Sequence, residues 1–435
     1  MNTATMHPII ILGAGLAGWT TARELRKLDT TTPVVVITAD SGDFYAKPSL
    51  SNAFAQKRGP DQLISTPAAK MVETLNVTLQ PHCRVSTLDL AAKTVAFKDS
   101  TGDTQTLAYS QLVLATGAQP IRVPVQGDAA DRVRSVNSLD DFRALHADLA
   151  QPLGMGSAEL AASAGAAAAG DVAAKRTIVI MGAGLIGCEF ANDLLTAGHH
   201  VHVVDPAERP LQALLPALAG DQLRDALGAL GLEWHFGKTV QSVTCPTSGT
   251  SVTSSEDPSA LGAAGGPWGR LVVRLSSGQT ISAHLVLSAV GLRADTTLAT
   301  AAGLQCERGI VVNELLQTSS PYIFALGDCA QYGGPGGRTL PYVMPIMNAA
   351  RALAQTLNGT PTSLAFPLMP VSVKTPALPI VVAPPAPGQE GTWDLEEGDT
   401  AGTWRFASSD GQQRGFVLTG KHTARRMELS KLTLP

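Results

Sequence analysis

Two glycine-spaced loops carry the clearest chemical signal in this sequence. Gly13-Ala14-Gly15-Leu16-Ala17-Gly18 and Gly182-Ala-Gly184-Leu-Ile-Gly187 both follow the spacing G-x-G-x-x-G. The first glycine permits a tight turn and the second lets backbone approach a pyrophosphate. The third lets a helix pack closely on a strand, and the N-terminus of that helix faces the phosphates. One such match in a chain with 42 glycines is weak evidence. Two matches, each preceded by an apolar strand and followed about 20 residues on by an acid, make a pair of dinucleotide sites the expectation. The acids are Asp40, preceded by Ala39, and Asp205. A carboxylate there accepts bonds from ribose hydroxyls and repels a 2′-phosphate, so Asp205 predicts NADH over NADPH in the second site, a preference Arg209 could soften.

The elements that must position these loops recur together. Ile11-Leu-Gly-Ala-Gly-Leu-Ala-Gly18 returns as Ile180-Met-Gly-Ala-Gly-Leu-Ile-Gly187, and each copy continues as helix, turn and β-branched strand. The helix is expected over Trp19–Leu28 in the first copy and Cys188–Leu195 in the second. The strands, led by Val34–Ile37 and Val201–Val204, are expected to end in Asp40 and Asp205. Leu112-Val-Leu-Ala115-Thr116-Gly117 has a counterpart in Leu285-Val-Leu-Ser-Ala-Val-Gly291. The repeat implies an α/β chain with two doubly wound dinucleotide-binding domains. Leu153–Ala174, almost wholly Ala, Gly and Ser, reads as an insert before the second copy. Residues 244–269 read as an enlarged hairpin loop between the strand-like Thr239–Val243 and Leu271–Leu275. Beyond residue 367, short strands at Val371–Val373, Ile380–Val382, Trp404–Phe406 and Phe416–Leu418 predict a small α+β domain closed by a helix after Gly420.

Composition narrows the chemistry. The 435 residues suffice for about three domains without disulfide staples. A net charge of -4 argues against nucleic acid as a partner. Five scattered cysteines, with no C-x-x-C pair, argue against iron–sulfur and zinc-finger sites and predict reduced thiols in the cytoplasm. No apolar run reaches the roughly 18 residues of a membrane span.

A third signal is Tyr322-Ile-Phe-Ala-Leu-Gly-Asp328-Cys329, a strand ending in Gly-Asp. With the Ala115-Thr116-Gly117 strand end and the two fingerprints, the chain resembles the flavoprotein oxidoreductases with two dinucleotide-binding domains. That resemblance implies FAD in the first domain, with Asp328 on its ribityl hydroxyls and Val85 offering backbone to its adenine. It also implies that the FAD domain is discontinuous: 1–118 and 305–366, with the NAD(H) domain 119–304 inserted (insert 153–174) and a C-terminal domain at 367–435. Where disulfide reductases of the family carry a cysteine pair, this chain has Phe44-Tyr-Ala-Lys47-Pro-Ser-Leu-Ser51, so no protein thiol can carry the electrons. Lys47-Pro48-Ser-Leu-Ser51 resembles the ferredoxin-reductase-like branch. Together with Gly187-Cys-Glu-Phe-Ala-Asn192, Tyr342-Val-Met-Pro-Ile-Met347 and Val371-Ser-Val-Lys-Thr-Pro376, it is similar to the rubredoxin–NAD reductases.

The resemblance implies hydride transfer from NADH to FAD, then single electrons to the iron of rubredoxin as partner. Lys47 would stand near the flavin, paired with Glu189 on the first turn of the second fingerprint helix. A helix opened by Pro345, with Val343 just before it, would face the anionic locus of the reduced flavin. Lys374 would add positive charge there. The alternatives are a ferredoxin- or nitrite-reductase-like enzyme with another acceptor, or a redox sensor that holds both nucleotides without turnover.

Other signals are expected to be structural. His199-His200-x-His202 has no carboxylate or cysteine at ligand spacing in the sequence and reads as turn and strand, with no metal. Cys188 and Cys329 read as small buried groups. The basic stretch Lys421–Lys431 reads first as a solvated helix face and second as a docking surface for an acidic partner.

Overall fold

The computed structural model describes residues 7–151, 175–246, 270–398 and 401–434. The insert 153–174 and most of the expected loop 244–269 lie outside these residues. The chain divides into two compact units, one formed by residues up to 47, 61–119 and 292–369, the other by 48–60, 120–291 and from 370 onward. The C-terminal residues thus group with the second dinucleotide fold, and 292–304 group with the first. The three-domain division expected from sequence is kept as a proposal, resting on the separate sheets.

The first unit is built on a five-stranded parallel sheet, in which Ile9–Leu12 sits between Val34–Ile37 and Gln111–Leu114. Ile323–Ala325 and Thr78–Gln80 form its edges. The strand Ile9–Leu12 is buried along its whole length, as a central parallel strand covered on both faces must be. The helix Leu16–Arg26 begins three residues earlier than the periodicity suggests and buries Trp19, Ala22 and Leu25. The helix Val343–Leu357 packs beside it.

In the second unit Thr177–Met181 occupies the corresponding centre, flanked by His200–Asp205 and Leu285–Ser288. Glu233–Phe236 and Val133–Arg134 are the edges. The repeat extends further than its motifs: each unit also carries a three-stranded antiparallel meander, Arg84–Asp89 to Ala108 in one and Val240–Thr244 to Ala283 in the other. Val240–Thr244 pairs antiparallel with Leu271–Leu275, as the expected hairpin requires.

The four short strands expected after residue 367 are present, joined by a fifth, Gly391–Gly398, that was not expected. They form one antiparallel sheet closed by the helix Arg426–Leu432. Its apolar face, with Val373, Ile380, Trp404 and Val417, joins the core that also holds Leu194, Leu223 and Leu227.

Candidate functional site

The two glycine loops meet the same backbone constraints at corresponding positions. Gly13 takes φ +110°, and a Cβ on it would stand 2.3 Å from the Ala115 carbonyl oxygen. Gly182 takes φ +106°, with the Ala289 oxygen at 2.7 Å. A Cβ on Gly18 or Gly187 would fall 1.9 or 2.0 Å from the carbonyl of the loop's first glycine. These four positions exclude any larger residue for reasons internal to the fold. Gly15 and Gly184 differ: both are exposed and a Cβ on either meets nothing within 4 Å. Each is the N-cap of its helix, without a side-chain cap or an acid in the first turn. Each loop therefore presents uncapped backbone N–H groups across open space, the arrangement that accepts a pyrophosphate. Ala14 and Ala17 are buried beneath the first loop and Leu16 is half-buried.

The two acids are not equivalent. The strand Val34–Ile37 stops three residues before Asp40, whose Oδ1 accepts bonds from the Thr38 hydroxyl at 2.7 Å and the Gly42 amide at 3.0 Å. It is a turn-forming residue as well as a candidate ribose acceptor, beside an exposed Ala39. Asp205 ends its strand as expected, and its two oxygens accept the Ala183 and Ala207 amides at 2.6 and 2.7 Å. Asp205 thus fastens the second fingerprint loop to its own sheet. Arg209 pairs loosely with Glu208 at 3.8 Å and lays its stem on Gly220.

In the first unit Ala115, Thr116 and Gly117 follow the strand Gln111–Leu114, with the Thr116 hydroxyl on the Asp295 carbonyl at 3.1 Å. Gly327, Asp328 and Cys329 form one 3-10 turn. The Tyr332 hydroxyl accepts the Gly327 amide at 2.8 Å, a support invisible to motif reading. Among the described residues nothing donates a hydrogen bond to the Asp328 carboxylate. Burial pushes its pKa up, partly opposed by the positive charge of Lys47. Cys329 is fully buried, its thiol directed at the Leu114 and Leu326 carbonyls and pushed up to about 11. The nearby helix starts at Val343, not at Pro345, which sits in its first turn, and its N-terminus also lacks a side-chain cap. Val85 is half-buried against the first core, second in the strand Arg84–Asp89.

The second unit holds a polar cluster that sequence reading only partly anticipated. Glu189 lies in the second turn of the helix Leu185–Thr196, not the first, and is 1% exposed. Its Oε2 accepts the Ser51 hydroxyl at 2.6 Å and its Oε1 the Lys374 amide at 2.9 Å, with the Lys374 ammonium 3.5 Å away. Lys374, just past the strand Val371–Val373, also donates to the Pro48 carbonyl at 2.8 Å, which fixes its side chain. One helical turn on, Asn192 accepts the Ala377 amide at 3.0 Å, and the two oxygens of Asp193 accept the Phe54 and Ala55 amides at 2.9 Å. Burial raises the Asp193 pKa. Positions 189, 192 and 193 share one helix face, which fastens 51–55 on one side and 374–377 on the other. Asn192 and Asp193 were missed, although their i+3 and i+4 spacing from Glu189 on an otherwise apolar helix was readable. Lys47 belongs to the other unit, so its pairing with Glu189 remains a proposal. Gly291, at φ +115°, follows the strand Leu285–Ser288 and is exposed.

A family model described as pyridine nucleotide-disulphide oxidoreductase matches residues 7–356, and one described as rubredoxin binding C-terminal domain matches residues 363–433. The rubredoxin-NAD(+) reductases of Alcanivorax borkumensis and Acinetobacter baylyi are 41% and 38% identical over 98% of this chain and 98% of each relative. A nitric oxide reductase FlRd-NAD(+) reductase of Aeromonas salmonicida is 36% identical over 95% of this chain and 92% of its own length. Putidaredoxin reductase, solved in a covalent complex with putidaredoxin, superposes over 98% of this chain and 93% of that one with a TM-score of 0.78 at 22% identity, a likeness of fold. The motifs, the duplicated loops and these relatives agree: the chain belongs to the pyridine nucleotide-disulphide oxidoreductase family.

Proposed function

We propose that the chain is an FAD-dependent NADH:rubredoxin oxidoreductase. The observation that carries this reading is the pairing of two open, uncapped dinucleotide loops with a C-terminal segment that matches the rubredoxin-binding domain. FAD, when bound, supplies the conversion of a two-electron hydride donor into a source of single electrons.

The first unit fits that group on three observations. The Gly13–Gly18 loop leaves open space at Gly15 for phosphate oxygens. Asp328 is a half-buried acceptor to which nothing among the described residues donates, suited to ribityl hydroxyls. The uncapped helix at Val343 offers N–H groups to negative charge. Thr116, Gly117 and Val85 would complete the cofactor contacts, and Asp40, with Ala39, the adenosine end.

NADH would take the second loop, Gly182, Gly184 and Gly187, with Asp205 at the ribose and Gly291 among the further cofactor contacts. Lys47, Lys374 and Glu189 would set the field where hydride arrives. Their work is positioning, since hydride transfer needs alignment more than a proton relay. The C-terminal sheet would dock rubredoxin. Lys421, in the turn after the last strand, and Lys431 and Met427, on the closing helix, are exposed, while Arg425 is already held by Glu396 and Glu428. The five unbridged cysteines support a cytoplasmic location, and among the described residues no helix is long and apolar enough to cross a membrane.

Anaerobic stopped-flow tests the reading. NADH is expected to bleach the flavin quickly, and oxidised rubredoxin to restore it far faster than a [2Fe–2S] ferredoxin does. Equal rates with both acceptors would favour a general iron–sulfur protein reductase, and slow bleaching with no acceptor would favour a sensor.

A further inference from the structure

The strands His200–Asp205 and Glu233–Phe236 run parallel, with His202 opposite Glu233 and Val204 opposite His235. Side chains alternate along each strand, so His202, Glu233 and His235 project from the same face. There the Nδ1 of His202 stands 3.2 Å from the Nε2 of His235 and 3.5 Å from an Oε of Glu233. One ligand atom from each of the three residues lies within 4.8 Å of the other two. Nitrogen donors about 2.0–2.1 Å from a tetrahedral zinc ion are separated by about 3.3 Å. The histidine pair already has that spacing, and the carboxylate oxygen lies close to it.

We propose that His202, His235 and Glu233 bind one divalent cation of the zinc class, leaving a coordination position open to water. Two imidazoles and a carboxylate form a donor set of intermediate hardness, which suits zinc better than calcium or magnesium. His235 is buried, so its ring is held in place at the inner side of the cluster. Glu233 is exposed, so the cation has a route in and its charge is partly offset. The two ring nitrogens already stand within hydrogen-bond distance of each other. The cation would tie the edge strand Glu233–Phe236 to the strand that ends in Asp205. The neighbouring histidines take no part: His199 accepts the Arg176 amide through Nδ1, and His200 is exposed.

The test uses the full FAD-loaded chain, stripped of metal by a chelator and desalted. Zinc chloride is titrated by calorimetry, and cobalt(II) by its d–d absorption to the red of the flavin bands. The expected result is one ion per chain, a raised melting temperature, and affinity weakened roughly tenfold or more in His202→Gln and Glu233→Gln. His200→Gln should bind as the parent does. Glu233 lies on the surface, so its variant decides the matter if a histidine variant folds poorly. Absence of uptake, equal uptake by parent and Glu233→Gln, or a cobalt–thiolate band that points to Cys245 would overturn the assignment.

Discussion

Replacing Glu189 separates the two roles its surroundings assign to it. The buried carboxylate takes a hydroxyl from Ser51 and an amide from Lys374, with the Lys374 ammonium 3.5 Å away. Alanine would leave the half-buried Lys374 amide without an acceptor, at about 1–3 kcal/mol, and the buried Ser51 hydroxyl with only its longer contact to the Pro48 carbonyl at 3.3 Å, at about 1 kcal/mol. It would also break a charge pair, but Lys374 keeps 36% side-chain exposure and its bond to the Pro48 carbonyl, so that contribution stays small. The total comes to about 2–4 kcal/mol. Glutamine keeps one oxygen for the Lys374 amide and offers its NH2 to the Ser51 oxygen, so only the charge assistance is lost, about 1–2 kcal/mol. For a unit of this size that is a fall in melting temperature of roughly 4–16 °C for Glu189→Ala and roughly 2–8 °C for Glu189→Gln. Scanning calorimetry of the FAD-loaded chain measures both, and a double-mutant cycle with Ser51→Ala measures the coupling. Equal losses for the two variants, or additive losses in the cycle, would refute the account. If Glu189 also sets the field for hydride transfer, Glu189→Gln slows flavin bleaching by NADH more than its stability loss explains.

The glycines give a sharper contrast. Gly15→Val is expected to keep the fold and lose FAD, whereas Gly18→Ala drives a Cβ into the Gly13 carbonyl and loses the fold itself; retention of FAD by Gly15→Val, read from its absorption spectrum, would sink the phosphate assignment. Because the folded-state pKa of Asp328 is raised above its ordinary 3.8, the cofactor-free protein loses stability as pH rises from below 3.8 through that raised value. Asp328→Asn should therefore be more stable than the parent at neutral pH without FAD, converge with it in acid, and bind FAD more weakly. Lys421→Gln with Lys431→Gln should slow electron delivery to rubredoxin and flatten its dependence on salt while leaving flavin bleaching untouched; an unchanged salt profile would move the docking surface elsewhere.

The repeated scaffold was legible because it is written in local terms. Glycine spacing, apolar strands and strand-end acids each follow from contacts within about 20 residues, and the parallel sheets place them as expected. The strand Gly391–Gly398 was missed for an equally local reason. Its residues Trp393-Asp394-Leu395-Glu396 alternate, but Gly391 and the paired acids at 396 and 397 resemble a solvated loop. It holds its place through long-range bonds that no window contains: Glu396 is fastened to Arg405 on the next strand and to Arg425 beyond it.

The polar cluster on the helix Leu185–Thr196 shows why a site is harder to read than a scaffold. Sequence reading treated Glu189 as a single charge with one partner. In the structure it is the first of three neighbouring residues whose acceptors hold backbone from two distant segments. An amide donor at Phe54, Ala55, Lys374 or Ala377 carries no sequence signature, because every non-proline residue has one. What the sequence does carry is the cost of the arrangement: three polar side chains at helical spacing among Cys188, Phe190, Ala191 and Leu194, all of them buried. Burying such groups without partners would cost several kcal/mol, so their presence already requires partners from elsewhere in the chain. The same reasoning applies to His202 and His235, where a strand with valines at 201, 203 and 204 keeps between them a histidine that meets its partner only across the sheet.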